Sequence, residues 1–101
     1  MNIYTEAPPS QIAAEKEYFL SSVFKLLPYK QDHYEYLDQY FNSIMQKLIG
    51  FNKISGYQPE VITIISLLRY AQEEDNFDQY RKAILDACGL IVKIKESDPN
   101  A

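Results

Sequence analysis

The sequence predicts an all-α protein folded as an antiparallel up-down four-helix bundle. Two segments carry apolar residues at every position of a heptad seam. In one, Tyr34, Phe41 and Leu48 alternate with Leu37, Ile44 and Phe51; in the other, Phe77, Ile84 and Ile91 alternate with Tyr80, Ala87 and Ile94. Residues that stop or cap helices, Pro28, Pro59 and Asn76, divide the chain into four such stretches. The only strand-like run, the β-branched residues from Val61 to Ile65, has no second run to pair with.

Residues 1–9 end in Ala7-Pro8-Pro9 and are expected to form a loose leader, because consecutive prolines do not enter a helix interior. Ser10 is the expected N-cap of the first helix. Ile12, Phe19, Leu20, Val23, Leu26 and Leu27 then recur at helical spacing, with Lys16 interrupting the stripe where its stem can snorkel. The helix is expected to stop at Leu27, since proline disfavours helical geometry in the residue before it. Asp32 followed by Glu35 reads as a capping box that opens the second helix, which ends at Gly50 or Gly56.

Pro59 suits the first turn of a third helix. Its polar side chains form one narrow stripe, Thr63, Ser66, Arg69 and Glu73. Val61, Ile62, Ile64, Ile65, Leu67, Leu68 and Ala71 cover the rest, so this helix is expected to be the most buried. After a polar link from Gln72 to Asn76, a second capping box of Asn76 and Gln79 starts the fourth helix. Lys93 and Lys95 sit in its last turn, favourable to the helix dipole, and residues 97–101 form a frayed tail. Four helices of roughly 15 to 22 residues span about 22 to 33 Å each.

With 101 residues and a 47% hydrophobic share, the chain is expected to be one domain, 1–101, with a single core. A formal charge of -4 argues against nucleic acid, whose phosphates require clustered Lys and Arg, and against an anionic membrane face. A lone cysteine, Cys88, fits a reducing compartment. The N-terminus has no basic run followed by an apolar one, and the longest apolar stretch, Val61 to Leu68, falls far short of the roughly 20 residues of a spanning helix. The expectation is a cytoplasmic protein without a transmembrane segment.

No catalytic signature is written in the chain. His33 lies between Asp32 and Glu35, but at a helix start this trio is better explained by capping, and no nucleophile accompanies it. Metal binding lacks a second His or Cys; Glu73, Glu74, Asp75 and Asp78 lack the alternating ligands and central glycine of a calcium loop. Cys88 has no flanking His or Lys to activate it and reads as a small buried side chain; neighbouring Gly89 reads as a close helix contact or a local kink. No enzyme activity, metal or cofactor is expected.

Nine tyrosines are more than one small core can bury with every hydroxyl bonded. Tyr29, Tyr34, Tyr36 and Tyr40 bunch around the start of the second helix. Arg69 and Tyr70, with Tyr80 and Arg81 across the acidic turn, form another amphipathic patch of candidate anchors.

The apolar run VITIISLLRY, the polar link AQEEDN and the run Phe77-Asp78-Gln79-Tyr80 opening the fourth helix make a hairpin. It resembles that of the immunity proteins of class IIa (pediocin-like) bacteriocins, particularly the enterocin A immunity type. The likeness covers about 38 residues well and the rest as helix count. It implies a cytosolic, non-enzymatic four-helix bundle that protects its host from a pore-forming bacteriocin. The implied partner is the bacteriocin-bound mannose phosphotransferase permease, engaged from inside, with specificity in the C-terminal half. Many members of that family are strongly basic and this chain is acidic, so it would reach a membrane receptor through local patches such as Arg69, Arg81 and Lys82.

Candidate partner-binding residues are accordingly Arg69, Tyr70, Tyr80, Arg81, Lys93 and Lys95, with recognition assigned to the fourth helix and its ends. The alternative is a homo-oligomeric helical adaptor binding a soluble protein through the tyrosine-rich face of the second helix.

Overall fold

Pro9 occupies the first position of helix α1 (Pro9–Phe24), with Pro8 in extended backbone as its N-cap. The proline pair therefore starts the helix instead of preceding it, because the first helical N–H has no partner to lose. A computed structural model describes residues 8–96 of the chain. Residues 1–7 of the expected leader and the expected tail at 97–101 lie outside them. Four more helices follow: α2 (Leu26–Gln31), α3 (Leu37–Ile54), α4 (Pro59–Gln72) and α5 (Phe77–Lys93). Among the described residues there is no strand.

Pro28 does not end the first helical leg where expected. It sits in the first turn of α2, where no intrahelical N–H is needed, and its carbonyl accepts the Asp32 N–H at 2.9 Å. What proline forbids is a bond to the carbonyl four residues back, that of Phe24, and the interruption falls there, with Lys25 still near helical geometry at φ -64° and ψ -17°. α2 thus continues the first leg after a one-residue break.

The expected capping box at Asp32 and Glu35 is corrected: this stretch ends a helix. The His33 N–H donates to the Lys30 carbonyl at 3.2 Å and the Tyr34 N–H to the Tyr29 carbonyl at 2.9 Å, while His33 adopts φ 55°. These are the two bonds of a Schellman terminus with His33 in the left-handed position, and the Tyr29 and Tyr34 rings supply its customary apolar contact at 4.6 Å. Tyr36, with no side-chain cap, precedes α3. Tyr34 consequently leaves the seam expected for it and is 41% exposed, whereas Phe41, Ile44, Leu48 and Phe51 are buried as expected and Leu37 is half-buried. The same motif ends α3. Tyr57 N–H reaches the Asn52 carbonyl at 2.8 Å, and Gly56, at φ 91°, takes the left-handed position that a side chain resists.

α4 is not the most buried helix. Only Val61, Ile64, Leu68 and Ala71 are buried, and Ile62 is 55% exposed. That place belongs to α5, whose Tyr80, Ala83, Ile84, Ala87, Cys88 and Ile91 face inward because α5 packs on α4, α1 and α2. Asn76 caps it as expected, its Oδ1 accepting the Gln79 N–H at 3.0 Å, but the Asn76 N–H donates to Glu74 at 3.2 Å and not to the Gln79 side chain that the capping box named. α5 runs unbroken through Gly89, where an added Cβ would meet nothing within 4 Å. The expected close helix contact is absent there.

Counting α1 with α2 as one leg, four legs form an antiparallel bundle with neighbours in the order α1, α3, α4, α5 and back to α1. The described residues span 48 × 21 × 19 Å. Phe19, Phe41, Phe51, Leu48, Leu68, Ile84 and Ile91 fill its axis, each side chain stabilising the fold by about 1.5–3 kcal/mol relative to exposure.

Candidate interaction surface

The α2–α3 link gathers four tyrosines into one cluster. Tyr29 from α2 lies edge-on to Tyr40 of α3 at 5.1 Å and against Tyr34 at 4.6 Å, and Tyr34 meets Tyr36 at 5.9 Å. Tyr40 anchors the chain of rings: its hydroxyl donates at 3.2 Å to the Ser22 carbonyl, which lies in the last turn of α1 where the helix break leaves acceptors free. Burial pushes the Tyr40 hydroxyl above its ordinary pKa. Tyr34 and Tyr36, 41% and 52% exposed, present the outer faces of the cluster.

Acidic residues are interleaved with these tyrosines in the sequence. Asp32, Glu35 and Asp38 belong to the same segment and are exposed. The α4–α5 link, with Glu73, Glu74 and Asp75, and Asp78 in the first turn of α5 are at this end too, since Gln72 Nε2 bonds Asn42 Oδ1 at 3.1 Å. Tyr70 Oη donates to Glu74 Oε1 at 2.8 Å. That bond, followed by the Asn76 N–H, lowers the carboxyl pKa of Glu74, and it raises that of the Tyr70 hydroxyl. Among the described residues none of these carboxylates except Glu74 has a hydrogen-bonded side-chain or main-chain donor, and none is in an ion pair.

The expected anchors separate in space. Arg69, Tyr70 and Arg81 are exposed near this acidic end, while Lys93 and Lys95 are exposed at the other end of α5, with Arg81 and Lys93 about 18 Å apart along the axis. Tyr80 is no surface anchor. It is fully buried, its hydroxyl donates to the Leu26 carbonyl at 2.7 Å, and its ring lies against Phe77 and Phe41 with Lys30 Nζ 5.2 Å from its centroid. A tyrosine at a seam position with apolar neighbours at helical spacing was the available signal for this.

At the far end the termini of several elements are tied together. Lys16 Nζ donates to the carbonyls of Ile94 at 2.6 Å and Val92 at 3.2 Å and pairs with Glu96 at 3.2 Å. It thereby satisfies acceptors at the C-terminus of α5 where the dipole favours a cation. Gln58 adds a double clasp to Lys95, accepting its N–H and donating to its carbonyl, both at 2.8 Å. The main chain of Lys95 is fixed and its side chain is free to reach solvent.

No family model matches this chain, and no curated protein and no solved structure matches it.

A surface the sequence did not disclose is an open apolar groove of about 700 Å³ between α1 and α5, lined by Leu20, Phe24, Leu85 and Cys88. Phe24 is 55% exposed there and Val92, farther along the same seam, 61%. Each lies off its helix's apolar stripe, which was the only sign available. Burial pushes the Cys88 thiol upward in pKa, so it is protonated at neutral pH and a poor nucleophile. Among the described residues no helix is long and apolar enough to cross a membrane, and no cluster of three or more His, Cys, Asp or Glu side chains can hold a metal ion.

Proposed function

We propose that the protein is a non-enzymatic, cytosolic immunity protein that shields its cell from a pore-forming pediocin-like bacteriocin by engaging the bacteriocin-bound sugar-transporter receptor. The observation that carries this reading is the hairpin of α4 and α5, the most extensively packed helix pair of an all-α bundle. It coincides with the residues that resemble the enterocin A immunity type. Recognition is assigned to the exposed cations of the hairpin, Arg69 and Arg81 near its turn and Lys93 and Lys95 at the end of α5, with Tyr70 beside the turn. Tyr80 serves as the internal strut that holds α5 in place.

The test is expression of the chain in a sensitive lactic-acid or listerial host followed by challenge with a panel of pediocin-like peptides. Protection against at least one peptide, lost in Lys93→Glu/Lys95→Glu while the protein still accumulates, supports the reading. Unchanged killing by every peptide sinks it.

A further inference from the structure

We propose that the tyrosine cluster at the α2–α3 link docks a cationic segment of a partner protein, with Arg or Lys side chains lying on the exposed faces of Tyr34 and Tyr36 and pairing with Asp32, Glu35 and Asp38. The inference does not depend on the immunity reading and concerns the end of the bundle away from Lys93 and Lys95.

The aromatic surface is both exposed and preorganised. Tyr34 and Tyr36 keep about half their surface in solvent, yet the Schellman bonds of His33 and Tyr34, the stacking on Tyr29 and the Tyr40 bond to the Ser22 carbonyl hold the rings in place. A partner therefore meets rigid aromatic faces whose ordering cost has already been met in folding.

Charge selects the occupant. Asp32, Glu35 and Asp38 are exposed and, among the described residues, form no ion pair; Lys30, the nearest cation in sequence, lies instead over the buried Tyr80 ring. Glu73, Asp75 and Asp78 share the same end with the exposed Arg69 and Arg81, and acidic side chains are in the majority there. An incoming cation relieves this repulsion and gains a ring face as well, whereas nucleic acid, anionic lipid or an acidic protein is repelled. A second copy related by a two-fold axis would set the same carboxylates against one another. Because the carboxylates do not converge into a metal-holding group, the complementary ligand is an extended row of side-chain cations and not a single ion.

The experiment titrates the isotopically labelled full chain with an oligo-arginine peptide, an oligo-lysine peptide and an oligo-glutamate control, reading backbone amide shifts. Expected are saturable shifts centred on residues 29–38 with arginine tighter than lysine, none with glutamate, and binding about tenfold weaker in Tyr34→Ser/Tyr36→Ser, the loss of two exposed ring–cation contacts. Both substitutions are at the surface, and an unchanged circular dichroism spectrum verifies the fold. Equal affinity in the double variant, or shifts spread over Glu60 and Asp86 as well, overturns the proposal in favour of nonspecific charge attraction. Concentration-dependent shifts without peptide overturn it in favour of self-association. Loss of this binding with bacteriocin protection intact would leave the immunity reading standing.

Discussion

The Tyr80 hydroxyl donates a 2.7 Å hydrogen bond to the Leu26 carbonyl, tying the most buried helix, α5, to the short helix that follows the break at Lys25. Tyr80→Phe keeps the ring and removes the donor, so a loss of about 1 kcal/mol in unfolding free energy is expected. The bond also gives the fold a pH dependence. A tyrosine in the unfolded chain ionises near pH 10 as a rule, whereas burial pushes this hydroxyl upward. The folded state holds the proton longer, so the contribution is complete below about pH 10 and declines as pH rises further, by about 1.4 kcal/mol per pH unit until the folded group ionises. Denaturant titrations of wild type and Tyr80→Phe across that range should show the wild type losing its advantage as pH rises. Parallel curves would assign the alkaline loss to other groups.

Lys16 works at the opposite end. Its ammonium bonds the Ile94 and Val92 carbonyls, and its side chain is only 14% exposed, so solvent screens it little. Lys16→Met preserves the stem and deletes the charge, leaving those carbonyls without this donor. A loss of about 1–2 kcal/mol is expected, together with faster amide hydrogen exchange in the last turn of α5. Exchange unchanged in that turn would show that the cap is dispensable.

The two Schellman termini have opposite chemistries. Gly56 fits its left-handed backbone and His33 does not. Gly56→Ala should therefore destabilise by about 1 kcal/mol, and His33→Gly should stabilise by about 0.5–1 kcal/mol, both measured as unfolding free energies. A destabilised His33→Gly would mean that the imidazole makes a stabilising contact of its own.

Gly89 is a helix-interior glycine with space around it. Gly89→Ala is expected to raise stability by about 0.5–1 kcal/mol through helix propensity and a less mobile unfolded chain. A lower melting temperature would contradict the open space seen at this position.

The boundaries of α4 and α5 were legible because periodicity and caps agreed: the α5 seam, the Asn76 cap and Pro59 at the first position all point to the same boundaries. The stretch from Phe24 to Tyr36 was not, since its signals compete. Pro28 acts on the carbonyl of Phe24 and not on its immediate neighbour, and the Asp32–Glu35 spacing of a cap is overridden by a left-handed histidine that closes the previous helix. The same competition decided the candidate anchors. A tyrosine's amphipathic side chain suits both a core with a buried acceptor and a surface; the seam position of Tyr80 points inward and the Leu26 carbonyl supplies its acceptor there, while Tyr34 and Tyr36 stay out. The α1–α5 groove depends on how two helices separated by most of the chain are packed, which neither helix's own pattern encodes.

The most direct measurement of the functional account is the inhibitory concentration of each pediocin-like peptide on a sensitive host, with and without the chain, alongside Lys93→Glu/Lys95→Glu and Tyr34→Ser/Tyr36→Ser. The wild-type chain is expected to raise the inhibitory concentration of at least one peptide, and the lysine variant to fail while remaining folded. An inhibitory concentration unchanged for every peptide, in cells that accumulate the folded wild-type chain, would contradict it.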